Sequence, residues 1–146
     1  MRDTSIKYRN AIQNNRIFHA KLEVTLADGT EMEVEGAENL FSDGIQIDTA
    51  TSSTSSFDIG AAVIRQAIIK LNNSTDKFSQ IDFYGSEIVV FVGLELTDGS
   101  IEWIRKGRYI ASDSSVAGIM IQVTALGQLS RTDRPYKIVS TSYPAE

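Results

Sequence analysis

Between Phe18 and Leu26 every second residue is apolar: Phe18, Ala20, Leu22, Val24 and Leu26 alternate with His19, Lys21, Glu23 and Thr25. A period of two places alternate side chains on opposite faces of an extended chain, so this segment is a strand with one buried and one wetted face. Asp28-Gly29 then supplies turn chemistry, and Met32 and Val34 resume the apolar face against Glu31, Glu33 and Glu35, which completes a hairpin. A second hairpin runs from Glu87 to Ile110. Ile88, Val90, Val92, Leu94 and Leu96 approach the turn Asp98-Gly99, and Ile101 and Trp103 are expected to continue the same apolar alternation after it. Here the opposite face also carries Val89 and Phe91, so this strand either lies between two layers or meets a partner chain.

The remaining segments fit around these hairpins. Gly44 to Asp48 and Gly118 to Val123 read as further strands, each opening Gly-Ile-x-Ile, a hint of an internal repeat. The step from Trp103 to Ile104 breaks the alternation and Gly107 follows, which predicts a bulge that re-aims the strand. Thr4 to Asn14 places Ile6, Ala11 and Ile12 at near-helical spacing, with Thr4 or Ser5 as N-cap. Ala61 to Leu71 fits a helical stripe through Ile64, Ile68 and Leu71 or a strand face through Ala67, Ile69 and Leu71, and the turn residues Asn72 to Asp76 end it. Thr49 to Ser56, almost entirely Ser and Thr, reads as a loop, and Ala125 to Ser130 as one helical turn stopped by Pro135. The expected fold is a single mainly β domain over residues 1–146. It is a barrel or sandwich of antiparallel hairpins, with a short N-terminal helix and one short helical turn near the C-terminus.

A chain of 146 residues with 42% hydrophobic and 23% charged side chains can enclose such a core without staples. Its net charge of -5 argues against a surface that wraps nucleic acid. Arg105, Lys106 and Arg108 form the densest basic group and read as a solvated strand edge that discourages unwanted pairing. The absence of cysteine removes disulfides, thiolate catalysis and thiolate metal sites. Met1 to Asn15 is polar, unlike a signal peptide, and no stretch is apolar for long enough to insert in a membrane.

No catalytic constellation emerges, so the sequence points to a protein that is not an enzyme, with no catalytic, cofactor or metal residues to nominate. His19 is the one histidine, it sits on the polar face of its strand, where it reads as an exposed spectator, and no G-x-S-x-G elbow accompanies it. The acidic residues lie next to turns or on wetted strand faces, where solvation explains them. The aromatic candidates for stacking on a sugar are Tyr84, Trp103, Tyr109, Tyr136 and Tyr143. They sustain an alternative reading as a free-standing carbohydrate-binding or adhesin-like module.

Several short segments, in order, carry a resemblance. They are Thr4-Ser5-Ile6-Lys7-Tyr8-Arg9-Asn10-Ala11-Ile12, Phe57-Asp58-Ile59-Gly60-Ala61-Ala62, and Leu71-Asn72-Asn73 with Asp76 and Phe78. The hairpin Gly93-Leu94-Glu95-Leu96 to Trp103-Ile104-Arg105-Lys106-Gly107, then Val123-Thr124-Ala125-Leu126 and Asp133-Arg134-Pro135-Tyr136, follow. Together they resemble the N-terminal region of phage and prophage tail proteins, the baseplate-hub and tail-associated family. The resemblance implies a virion structural role and a β domain that forms a trimeric or hexameric ring continuing the tail tube. It also implies other tail proteins as partners and DNA only as passing cargo. Assembly would occur in the bacterial cytoplasm, with no membrane insertion, and the chain is expected to be the N-terminal part of a longer protein. By the same resemblance Ala61 to Leu71 is a strand. Ring contacts are expected to use strand edges and leftover apolar residues, with Val89, Phe91 and the loop from Thr49 to Ser56 as the candidates. An acidic lumen would let a polyanion slide without adhering.

Overall fold

The computed structural model describes residues 4–14, 16–48 and 65–128. Among these residues one helix, α1 (Ile6–Gln13), precedes seven strands: β1 (Phe18–Thr25), β2 (Glu31–Glu35), β3 (Leu40–Asp48), β4 (Gln66–Asn72), β5 (Glu87–Glu95), β6 (Ile101–Ala117) and β7 (Met120–Gly127). They form a single antiparallel sheet in the order β2-β1-β5-β6-β7-β4-β3. The mainly β, antiparallel expectation and the short leading helix both hold. β7 extends through Gly127, so Ala125–Gly127 is strand where a helical turn was expected; Leu129 and Ser130 lie outside the described residues. Residues 66–72 of the ambiguous segment are strand β4, and residues 61–64 are not among those described.

The 17-residue strand β6 joins the two halves of the sheet. Its first part pairs with β5 through Ile110, and its last part pairs with β7 from Tyr109 to Ala117. Register shifts interrupt it twice, at Lys106 opposite the Val90/Phe91 step and at Ser112 opposite the Ala125/Thr124 step. Each extra residue bends and twists the strand, and the two halves curl toward one another. Leu22, Val24 and Val34 of the first half therefore share one buried cluster with Ala67, Ile69, Leu71, Ile121, Val123 and Ala125 of the second. The bulge expected near Ile104–Gly107 is the first of these bends.

The turns decide which side chains reach that cluster. In the first hairpin Leu26 and Thr30 are joined by a backbone hydrogen bond, Gly29 has φ +88°, and the loop is three residues long, Ala27-Asp28-Gly29. Asp28 Oδ1 accepts from the Thr30 N–H at 2.8 Å. This register sets Val24 opposite Met32 and Leu22 opposite Val34, apolar against apolar. The second hairpin has the same loop, Thr97-Asp98-Gly99 between Leu96 and Ser100, with Gly99 at φ +80°. There the outcome is opposite to the sequence expectation. Ile101 pairs with Glu95 and Trp103 with Gly93, on the face shared with Phe91 and turned away from Leu94. A two-residue turn would have kept Trp103 on the core side, and one more loop residue inverts every side chain that follows. The extra residue Lys106 restores the count, so Tyr109 and Ala111 are buried at 1% and 2% exposure.

Trp103 is accommodated because its cross-strand partner is glycine. A Cβ on Gly93 would lie 2.8 Å from Trp103 Cε3 and closer still to Ile101, so the indole covers backbone that has no side chain of its own.

The end of the core is closed by residues 73–86. Asn73, itself buried, accepts the Phe78 N–H on Oδ1 at 2.8 Å and donates from Nδ2 to Ser79 Oγ at 2.8 Å. This sets Phe78 beside Phe83, ring centroids 6.4 Å apart and tilted 55°, both fully buried. At the β5–β6 turn, α1 packs Tyr8 and Ala11 on Leu94 and Leu96. Ser5 is the N-cap and accepts from the Tyr8 N–H at 3.0 Å. Of the expected stripe Ile6, Ala11 and Ile12 only Ala11 docks: Ile6 is 77% exposed, Ile12 also faces solvent, and Tyr8 packs in their place. Ser5 also bonds Glu102, and Lys7 Nζ reaches Asp98 at 2.9 Å. The Ser100 hydroxyl and Lys7 hold the Asp98 carboxyl well below the usual carboxylate range. The Gly-Ile-x-Ile repeat has no structural counterpart: Gly44 lies inside β3, whereas Gly118-Ile119 is the β6–β7 turn and β7 begins at Met120.

Two substitutions test this account. Gly93→Ala is expected to destabilise by about 1–3 kcal/mol through overpacking against Trp103, read as a lower midpoint in urea at an unchanged slope. Asn73→Ala leaves the buried Phe78 N–H unpaired and is expected to cost about 1–3 kcal/mol, with amide exchange at Phe78 accelerated in step.

Candidate functional site

The face turned away from the core is built from β2, β1, β5 and the first part of β6. Glu31, Glu33 and Glu35 stand exposed on the edge strand β2. β1 adds His19, Lys21 and Glu23, β5 adds Val89 and Phe91, and β6 adds Trp103, Arg105 and Arg108. Glu23 and Glu33 are direct cross-strand partners, a like-charge pairing that costs stability if nothing neutralises it. Lys21 Nζ sits between them, 3.3 Å from Glu23 Oε1 and 3.2 Å from Glu33 Oε2. The same ammonium lies 5.3 Å from the ring centres of both Phe91 and Trp103, within cation–π range. Burial pulls the Lys21 pKa down, but the hydrogen bonds that its ammonium donates to Glu33 and Glu23 outweigh it and hold it above its ordinary value. Further along, Arg108 pairs with Glu87 at 3.3 Å. The two halves of the face thus differ in sign, with carboxylates toward β2 and guanidinium and ammonium groups toward β6.

Val89 and Phe91, nominated from sequence as contact residues, are half-buried on this face, where they join Trp103 in the strip between the charges. Thr49 and Ser56, nominated with them, lie outside the described residues. Arg105 and Lys106 are exposed. β7 covers β6 only from Tyr109 onward, so among the described residues the stretch bearing these cations is a strand edge, as the sequence suggested.

Beside this face is an open groove of about 660 Å³, lined by Phe18, His19, Leu40, Phe41, Ile101 and Trp103 among others. It exists because β2 pairs with β1 only over Lys21–Thr25, which leaves Phe18–Ala20 without a strand neighbour on that side among the described residues. His19, expected to be an exposed spectator, is half-buried with Nε2 3.3 Å from Glu95 Oε2. The aromatic candidates separate. Tyr109 is buried in the core, and desolvation raises its pKa. Tyr84 is 67% exposed, Trp103 borders the groove, and Tyr136 and Tyr143 lie outside the described residues. No three His, Asp or Glu side chains among the described residues gather in a way that would hold a metal ion. No helix among them is long and apolar enough to cross a membrane.

No family model matches this chain, and no curated protein matches it in sequence. Solved structures do match its fold. One is a chain of the "Virion of native gene transfer agent (GTA) particle", similar with a TM-score of 0.58 over 90% of this chain at 11% identity. This chain spans about half of that one, 47% of its length. At that identity the likeness is one of fold.

Lys21→Met, which keeps an apolar stem over Phe91 and removes the charge, tests the electrostatics of the face. At neutral pH it is expected to destabilise by about 0.5–1 kcal/mol, since Glu23 and Glu33 then face each other unscreened. The penalty is Coulombic, so it shrinks as salt is raised. Melting curves of both proteins at low and high salt check this, and a salt-independent difference would mean that Lys21 acts only by packing.

Proposed function

We propose that this chain is a structural component of a phage-type particle, a ring-forming tail-tip domain of the baseplate-hub kind that continues the tail tube. The observation that carries the reading is the fold likeness to a chain of the gene transfer agent virion over 90% of the present chain. The outer face supports it, because half-buried Val89, Phe91 and Trp103 between opposite charges have the anatomy of a contact surface. The net charge of -5 suits a channel through which DNA passes without adhering. In this reading the partners are further copies of the chain and other tail proteins, and catalysis forms no part of the role.

The rival reading, a carbohydrate-binding module, draws on Trp103 and Phe18 beside the open groove. Sedimentation velocity across a wide dilution series separates the two. The tail-ring reading expects reversible growth toward a trimer or hexamer at high concentration. A monomer at every concentration, together with glycan binding that Trp103→Ala abolishes, would establish the module instead.

A further inference from the structure

Resting on that assembly reading, we propose that a second copy of this chain docks in one orientation, its β2 glutamates on the Arg105–Lys106 segment of β6. The two charged groups bound one four-stranded half of the sheet, β2-β1-β5-β6, at opposite sides. Three strand spacings separate them, roughly 14 Å at about 4.8 Å each. At one side Glu31, Glu33 and Glu35 project from an edge strand, and Glu33 alone has a cation partner among the described residues, Lys21. At the other side Arg105 and Lys106 are exposed, and neither has an ion-pair partner among the described residues.

Edge protection accounts for charge at each side, because charged edges discourage strand addition. It does not account for the choice of sign, since two like-charged edges would repel one another and protect better. Opposite signs on the two sides repel β2 from β2 and β6 from β6 but attract β2 to β6. The surface is therefore complementary to itself in a head-to-tail sense, the arrangement that generates a ring when the rotation closes. The bulge places the cations: Lys106 is the inserted residue, and the kink there holds Arg105 and Lys106 together at the edge. Val89, Phe91 and Trp103 lie on the outer face between the two charged sides.

The test uses two double variants that spare Lys21, Glu23 and Glu33: Glu31→Lys with Glu35→Lys, and Arg105→Glu with Lys106→Glu. Each is expected to self-associate at least tenfold more weakly than the parent chain in sedimentation velocity at low salt, and parent association is expected to weaken as salt is raised. Mixed in equal amounts, the two variants should associate again, because each then presents the sign that the other has lost. That recovery also shows that both are folded. If the parent associates and the variants do so equally well, the contact lies elsewhere while the assembly reading stands. If the mixture fails to recover, head-to-tail pairing of these two segments is wrong. A parent that is monomeric at every concentration and salt overturns the contact and the ring reading together.

Discussion

A strand presents only every second side chain to a core, so the whole molecule depends on where that count is reset. Two resets act on the first part of β6. The three-residue loop Thr97-Asp98-Gly99 turns Ile101 and Trp103 outward, and the inserted Lys106 turns Tyr109 and Ala111 back inward. Between the resets the strand donates its large side chains to the outer face. That face is consequently richer in aromatic and apolar groups than the wetted side of a half-buried sheet requires, and Gly93 makes room for the indole. After the second reset β6 places Tyr109 and Ala111 in the core as it begins to pair with β7, and beyond the inserted Ser112 residues Asp113–Ala117 are exposed. One strand thus serves as outer wall and inner wall in succession, and the bends that correct its phase also curl the sheet around its contents.

The curled sheet needs plugs. Phe78 and Phe83 fill one, held by the hydrogen bonds of buried Asn73 to the Phe78 N–H and to Ser79. At the β5–β6 turn α1 supplies another. A helix of eight residues is marginal alone, so its order derives from Tyr8 and Ala11 against Leu94 and Leu96, and from polar ties to Glu102 and Asp98. Both plugs fall in segments that carry the sequence resemblance to phage tail proteins. Those segments are structural in this chain: Asn73, Asp76 and Phe78 shape a loop, and Gly93 and Trp103 fit against each other across two strands. A resemblance made of such residues speaks to fold, and the fold likeness to a virion chain at 11% identity agrees with it at that level.

The outer face follows from the same register. Lys21 neutralises a pair of carboxylates that the β1–β2 register places opposite one another, and it lies over two aromatic rings at the same time. It therefore joins the acidic side of the face to the apolar strip. Beyond it the bulge collects cations. The same irregularity that rescues the core phase of β6 thus sets the electrostatic polarity of the surface.

Alternation alone determined that this chain is an antiparallel β protein, which residues of β1, β2 and β5 face the core, and that a bulge lies near Gly107. It also located Val89 and Phe91 on the second face of β5. These are local properties, because a period of two and an Asp-Gly turn are read within a few residues. The side taken by Trp103 was not legible, since it turns on one loop residue and nothing in the spelling of Thr97-Asp98-Gly99 counts that residue in or out. The docked face of α1 was legible only at Ala11, because Tyr8 is selected over Ile6 and Ile12 by the position of Leu94 and Leu96. The polarity of the outer face, finally, pairs β2 with a segment of β6 about seventy residues later. Only strand order brings such distant residues onto one surface, and strand order is settled by how all seven strands share a single core.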